Sequence, residues 1–267
     1  MNISRTRQQL YRQSRLWITI VLIVGVTLMS CSKSAQSDQT VKVSPQLEQQ
    51  ILQVIRQHPE VILESVQAYQ QQQDGQLKQA RQTFLEQIKT NPKAVIGNSP
   101  FTGSEAKNIV LVEFSDFQCP FCARAHETIQ KFMKAHQDQV TLVYKHFPLT
   151  QIHSEALPAA QASWAAQQQG KFWEYQNALF TQQNQLGEAL YPAIAKQLNL
   201  DVEKFNRDRQ GPEAQAAIQK DIQLGESLGI SGTPFFVMNG ETFSGAVELS
   251  KIEEVLATVK ASQGQKK

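Results

Sequence analysis

Residues 108–126 read NIVLVEFSDFQCPFCARAH, and the organisation of the chain follows from this stretch. Residues 108–114 form a short apolar run rich in branched side chains, the composition of a buried strand. Residues 115–118 make a brief connection, and Cys119 opens a segment that reads as helix to about His136. Two cysteines at i and i+3 in a first helical turn bring their sulfurs within bonding reach. The start of a helix leaves N–H groups unpaired and carries a partial positive charge, both of which favour a thiolate. Such surroundings lower a cysteine pKa from about 8.5 into the range where it ionises at neutral pH. Cys119, at the helix mouth, is therefore expected to be the exposed nucleophile. Cys122, one turn in, is expected to be less accessible and to resolve the mixed disulfide. Pro120 costs little in a first turn, where its missing N–H has no acceptor to lose.

Outward from this stretch the pattern alternates. Residues 140–147, VTLVYKHF, read as a second strand. Strand, helix and strand of these lengths make a βαβ unit, so its two strands should run parallel with a right-handed crossover. A long helical stretch covers about 154–228, carrying Trp164, Phe172, Trp173, Tyr175, Leu179, Phe180 and Leu198, which are read as core. Residues 229–234 lead into a strand at 235–238. Asn239-Gly240 then supplies a hairpin turn, with a strand around 242–244 and a final helix over about 250–262 after it. The tail GQKK is read as frayed.

Ahead of residue 92 the chain has a different character. Residues 44–91 are Gln-rich, free of cysteine and helical in spacing. Leu47, Ile51, Val54 and Ile55 share one face, and Ile62, Val66 and Tyr69 continue a similar stripe beyond His58-Pro59. Pro59 suits the end of one helix and the first turn of the next. Asp74-Gly75 is read as an interruption, and Asn91-Pro92 as the stop. Stripes this apolar call for a cover, either the main domain or other copies of the chain.

Arg5, Arg7, Arg12 and Arg15 lead into the apolar run 16–30, LWITIVLIVGVTLMS, which fits a signal-peptide core and is short for a spanning helix. The arginines should stay cytoplasmic, so the chain beyond residue 30 should be exported. Leu28-Met29-Ser30-Cys31 resembles the lipobox of bacterial lipoproteins, with Met29 where that motif has a small or branched residue, and implies lipidation of Cys31. The other reading is an uncleaved anchor. Either one tethers an extracytoplasmic, periplasmic-side body to a membrane through the polar leash at residues 32–43.

The bulk numbers agree. A formal charge of +2 over 267 residues argues against a nucleic-acid partner. Three cysteines, one at the export signal, are too few for a disulfide-stapled scaffold. A structural zinc site wants four ligands, and beyond Cys119 and Cys122 only His126 is near in sequence, so no metal or other cofactor is assigned. Two thiolates would suit Cu(I), and a client-holding chaperone with incidental cysteines is a third class. His126, His146 and His153 are read as structural or surface residues.

The segment Phe117-Gln118-Cys119-Pro120-Phe121-Cys122, with Lys145-His146-Phe147-Pro148-Leu149, the helical insertion and Gly232-Thr233-Pro234, resembles the DsbA-like branch of the thioredoxin superfamily over about residues 93–262. The resemblance implies an α/β thioredoxin fold with an inserted helical subdomain, here preceded by an α-helical N-terminal extension. It implies catalytic cysteines at Cys119 and Cys122, tuned by Pro120 and Phe121. It also implies a cis Thr233-Pro234 peptide facing them and a buried acid, Glu113, that assists proton transfer. Residues 51–67, ILQVIRQHPEVILESVQ, are similar to the N-terminal segment of the suppressor-of-copper-sensitivity C proteins, which implies self-association through residues 44–91. The expected partners are unfolded or misfolded exported proteins and a membrane redox protein that recycles the CxxC. Oxidase, isomerase and reductase all remain open at this point.

The chain is thus expected to divide into a targeting segment (1–31), a leash (32–43), a helical module (44–91) and a DsbA-like thioredoxin domain (92–262).

Overall fold

The run at 109–115 becomes β2 (Ile109–Ser115), the central strand of a five-stranded sheet in which each of its residues is buried. The computed structural model describes residues 44–264; the targeting segment, the leash and Cys31 lie outside them. Strand β2 pairs in parallel with β3 (Val140–His146) and antiparallel with β4 (Phe235–Met238). Strand β5 (Glu241–Ser244) completes a hairpin with β4, turning at Asn239 and Gly240, both at positive φ. The far edge is β1 (Phe101–Gly103), which pairs antiparallel with β3. The order is β1-β3-β2-β4-β5.

Helix α1 spans Pro45–Gln57, α2 Pro59–Thr90, α3 Pro92–Ile96 and α4 Pro120–His136. Between β3 and β4 lie α5 (Ala156–Gln167), α6 (Phe172–Thr181), a short 3-10 turn (Gln183–Gln185), α7 (Leu190–Gln197), α8 (Val202–Gln210) and α9 (Pro212–Ser227); α10 (Leu249–Gly264) closes the described chain. The parallel β2–α4–β3 unit and the helical insertion are those expected from the sequence. This is an α/β thioredoxin fold with an inserted helical subdomain.

Alternation along the strands sorts side chains to the two faces of the sheet. Val110, Val112 and Phe114 of β2 join Phe84 and Ile88 of α2 and Phe147 in one cluster. Ile109 and Leu111 join Ile129 and Phe132 of α4 and Ile252 and Leu256 of α10 in another. A third cluster fills the insertion with Tyr175, Leu179, Tyr191 and Phe205, and it runs up to Phe117, Cys119, Cys122 and Tyr144. The insertion therefore packs directly against the CxxC. Helix α9 approaches β3 closely at Gly225, where a Cβ would meet the Phe147 ring at 2.5 Å.

Two local expectations change. Asp74-Gly75 does not interrupt the helix: α2 runs unbroken over 32 residues. One glycine costs about 1 kcal/mol relative to alanine within a helix, and the Gln-, Lys- and Leu-rich surroundings absorb it. Gly264, read as part of a frayed tail, belongs to α10.

The described residues divide into two units that part between Leu63 and Glu64. In the first, α1 is capped by the Ser44 side chain, which accepts from Leu47 N, and it buries none of its residues. Its large apolar side chains, Leu47, Ile51, Val54 and Ile55 among them, are exposed. In the second, most large apolar side chains are internal; Val66, Tyr69, Phe121, Ile152 and Leu249 are the exposed ones among the described residues.

Candidate active site

Helix α4 begins where β2 delivers the chain. Cys119 is its N-cap residue in extended geometry, and Pro120 occupies the first turn. The Cys119 carbonyl accepts from the Cys122 and Ala123 N–H groups at 3.0 and 3.2 Å, which closes the turn. No disulfide joins Cys119 and Cys122 in this structure. The Cys119 thiol donates to the Thr233 carbonyl at 3.4 Å, and the Thr233–Pro234 peptide is cis. Cys122 Sγ accepts from the Asp116 N–H at 3.5 Å. The structure thus brings Cys119, Cys122, Thr233 and Pro234 together.

Exposure corrects one expectation. Cys119 is only 3% exposed rather than open to solvent, because its sulfur is turned under toward Cys122 and Thr233. Phe121, at 49%, is the residue that projects, with Arg124 stacked over its ring at 4.7 Å.

The two thiols are electrostatically unequal. A hydrogen bond from the Cys122 thiol, opposed by burial and aided by the Thr233 side chain and the Cys122 and Phe121 N–H groups, lowers the Cys119 pKa to about 5. Burial first, then the neighbouring Cys119, pushes Cys122 far upward. The surroundings thus favour the thiolate at Cys119 and the protonated thiol at Cys122.

Glu113 is buried on β2, opposite Tyr144 of β3 and Phe236 of β4. Burial raises its carboxyl from 4.5 to about 7, with the Ser115 side chain pulling weakly the other way. Its Oε1 has no hydrogen-bond partner among the described residues. A carboxyl in that state can exchange a proton near neutral pH.

Polar bolts hold the motif in place, and sequence reasoning missed them. Buried Asp116 accepts from Gln118 N–H at 2.8 Å and Leu149 N–H at 3.0 Å, and its Oδ2 lies 2.7 Å from His153 Nδ1. Gln118 Oε1 accepts from Glu155 N–H at 2.6 Å. From the insertion, the Gln183 side-chain amide donates to the Phe117 and Cys119 carbonyls at 2.7 and 2.9 Å. Apart from Gln118 and Asp116, these partners are 33–66 residues apart in the chain, so no local pattern announces them. His153, read as a structural or surface residue, is the side-chain hydrogen-bond partner of Asp116. His146 is buried, and burial with the Lys145 charge lowers its pKa to about 3. His126 lies against Phe180 with ring centroids 4.7 Å apart, and bonds Asn177 and Gln130 rather than either cysteine.

Among the described residues, no group of three or more His, Cys, Asp or Glu side chains is placed to hold a metal ion, and no helix is long and apolar enough to cross a membrane.

Residues 110–257 match the model of the DSBA-like thioredoxin domain. The chain belongs to the DSBA-like thioredoxin family. Among solved structures it is similar to a thioredoxin-like oxidoreductase from Silicibacter pomeroyi DSS-3, at 32% identity and a TM-score of 0.59, over 64% of this chain and 99% of that one. It shares its fold with Proteus mirabilis ScsC, at 22% identity and a TM-score of 0.58, over 82% of this chain and 100% of that one. It also aligns at 30% identity with the Na(+)/H(+) antiporter NhaA 3 of Salinispora tropica, over 60% of this chain. The chain spans only about a quarter (24%) of that antiporter's length, so the transport named for it is not carried over. Membership of this family, with a paired CxxC at a helix start, supports a thiol–disulfide oxidoreductase in general.

Proposed function

We propose that this protein is an exported, membrane-tethered thiol–disulfide oxidoreductase that forms or rearranges disulfides in extracytoplasmic proteins. The inequality of the two thiols carries the reading. In the direction of disulfide donation, a client thiolate attacks Cys119 of the oxidised pair. Cys122 leaves with the electron pair and takes up a proton, and a second client thiolate then displaces Cys119 as the client disulfide closes. In the reverse direction the Cys119 thiolate opens a client disulfide, and Cys122 gives up its proton and resolves the mixed disulfide. Glu113 is the group that takes or returns that proton. Thr233 and Pro234 flank Cys119 and offer main-chain groups to an extended client. Phe121 is the apolar contact beside the nucleophile. The basic lead and apolar run at residues 5–30 support export, and Cys31 is the proposed lipid attachment.

A stabilised Cys119 thiolate favours the dithiol form, which makes the disulfide a better oxidant. At about 5 its pKa falls between those of thioredoxin, about 7, and DsbA, about 3.5. We therefore favour net donation of disulfides, with reloading by a membrane redox partner. Equilibration with glutathione buffers should place the potential between about −270 and −120 mV, the values for thioredoxin and DsbA. A potential below the thioredoxin value would turn the assignment to a reductase.

One observation favours a second reading. The exposed apolar stripe of α1 suits self-association, and an oligomer that holds a misfolded client between several active sites would serve as an isomerase. Refolding of scrambled ribonuclease separates the two, since an isomerase restores activity without added oxidant.

A further inference from the structure

On the sheet face toward α4, beside the resolving cysteine, lies a cluster of buried polar side chains that the roles of the cysteines and Glu113 do not fully explain. The parallel register sets Glu113 opposite Tyr144 and Ser115 opposite His146. These four residues alternate along their strands, so their side chains share the face on which Leu111 and Leu142 meet α4. All four are buried. Glu113 Oε1, Ser115 Oγ, Tyr144 OH and both His146 ring nitrogens lack a hydrogen-bond partner among the described residues. Buried polar groups are normally paired, because leaving one unpaired costs about 1–3 kcal/mol. A cluster of them beside a reacting sulfur calls for a purpose.

Ser115 is central to that cluster. It precedes Asp116, whose N–H is 3.5 Å from Cys122 Sγ, so its residue adjoins the resolving sulfur along the backbone. It is two residues from Glu113 on the same face, about 7 Å along the strand. The titratable groups around this cluster are Glu113 and Asp116 from β2 and its end, Tyr144 and His146 from β3, and the two cysteines at the start of α4. Of these, Glu113 alone pairs a carboxyl raised to about 7 with a free oxygen.

We infer that the Ser115 hydroxyl is the proton relay between the Cys122 thiol and the Glu113 carboxylate. As Cys122 attacks the mixed disulfide, its proton passes to Ser115 Oγ while the Ser115 proton passes to Glu113. The Cys122–Cys119 bond forms, the bond from Cys119 to the client sulfur breaks, and the client leaves as a thiolate that is protonated by solvent. In the opposite direction the same hydroxyl returns the proton to the departing Cys122. A hydroxyl suits this task because it donates and accepts at once. This inference rests on the proposed roles of Cys119, Cys122 and Glu113.

The test is single-turnover oxidation of the reduced full-length protein by glutathione disulfide, with acid-quenched samples weighed by mass spectrometry. The glutathionylated intermediate gives the attack rate by its rise and the resolution rate by its decay. Ser115→Ala should slow resolution about tenfold, toward the low end of general-base effects, while attack slows by less than twofold. Ser115→Thr, which keeps the hydroxyl, should recover most of the loss. Adding Ser115→Ala to Glu113→Gln should slow resolution no further than Glu113→Gln alone. Wild-type resolution in Ser115→Ala, with Glu113→Gln slow, would overturn the relay and leave Glu113 as the base. Losses that multiply in the double variant would likewise overturn it. Wild-type resolution in Glu113→Gln would remove the base itself, and the proposed role of Glu113 would fall together with the relay.

Discussion

The CxxC unit and helix α1 draw on the same kinds of apolar residue and use them in opposite ways. In the unit beginning at residue 64, Phe117, Tyr144, Phe180 and their neighbours are internal, and Phe117 lies 5.4 Å from Tyr144 and 5.0 Å from Phe180, centroid to centroid. In α1, Leu47, Ile51, Val54 and Ile55 form an equally regular stripe that remains exposed. The first set stabilises the fold that holds two sulfurs at a helix start. The second contributes nothing to a core within its own helix. Burial, not composition, tells an element that builds a site from one that leaves its apolar face open, the face proposed above for self-association.

The largest expected effect separates the two at the level of chemistry. Cys119→Ser should reduce exchange with glutathione disulfide to the level of unactivated thiols in solution, read as loss of the mixed-disulfide mass. Cys122→Ala should instead accumulate that mass. Equal residual activity in both variants would erase the distinction between nucleophile and resolving thiol.

Packing gives the next contrast. Phe117→Ala removes a buried ring against the insertion and should cost about 3–5 kcal/mol in urea unfolding. Ile51→Ala on the exposed stripe should cost no more than about 0.5 kcal/mol in dilute monomer. A large loss at Ile51 under those conditions would mean that the stripe is covered within a single chain.

Glu113 gives the buried unit a pH dependence that α1 lacks a counterpart for. Its folded pKa, about 7, is raised above the ordinary 4.5. Between those two values the native state holds a proton that the unfolded chain has released, so this group's contribution to stability falls as pH rises through that window. Glu113→Gln should remove the fall and leave the protein about 1–3 kcal/mol more stable than wild type at pH 8, with little difference at pH 4. Parallel stability curves for the two proteins would show a carboxyl with an ordinary pKa.

The smallest effect on chemistry, and the one that most isolates α1, comes from Ile51→Asp with Ile55→Asp. The pair should lower the solution mass by light scattering to that of one chain and leave glutathione disulfide exchange unchanged. An unaltered mass would mean that the stripe does not hold copies together.

Much of this was legible in the sequence because the governing signals are local. The apolar run 109–115, the helix-start cysteines and Asn239-Gly240 each carry their own geometry, and β2, α4 and the β4–β5 hairpin form where they indicate. Edge strand β1 was not legible. It has three residues and no pattern of its own, and it is held by pairing with β3 and by the Trp173 indole N–H, which donates to the Phe101 carbonyl at 3.1 Å. The bolts through Asp116, His153 and Gln183 were hidden for the same reason, since each depends on distant segments meeting. Gly75 misled because a mild local cost was read as a break. Ser115 looked like a linker residue until the register placed it beside Glu113, opposite His146.

The inequality of the two thiols is read from the thiolate absorbance near 240 nm of the reduced protein, followed against pH. One ionisation centred near pH 5 is expected, retained in Cys122→Ala with a smaller shift and lost in Cys119→Ser, with the second thiol silent throughout the stable range. A first ionisation near the ordinary thiol value, about 8.5, would contradict it.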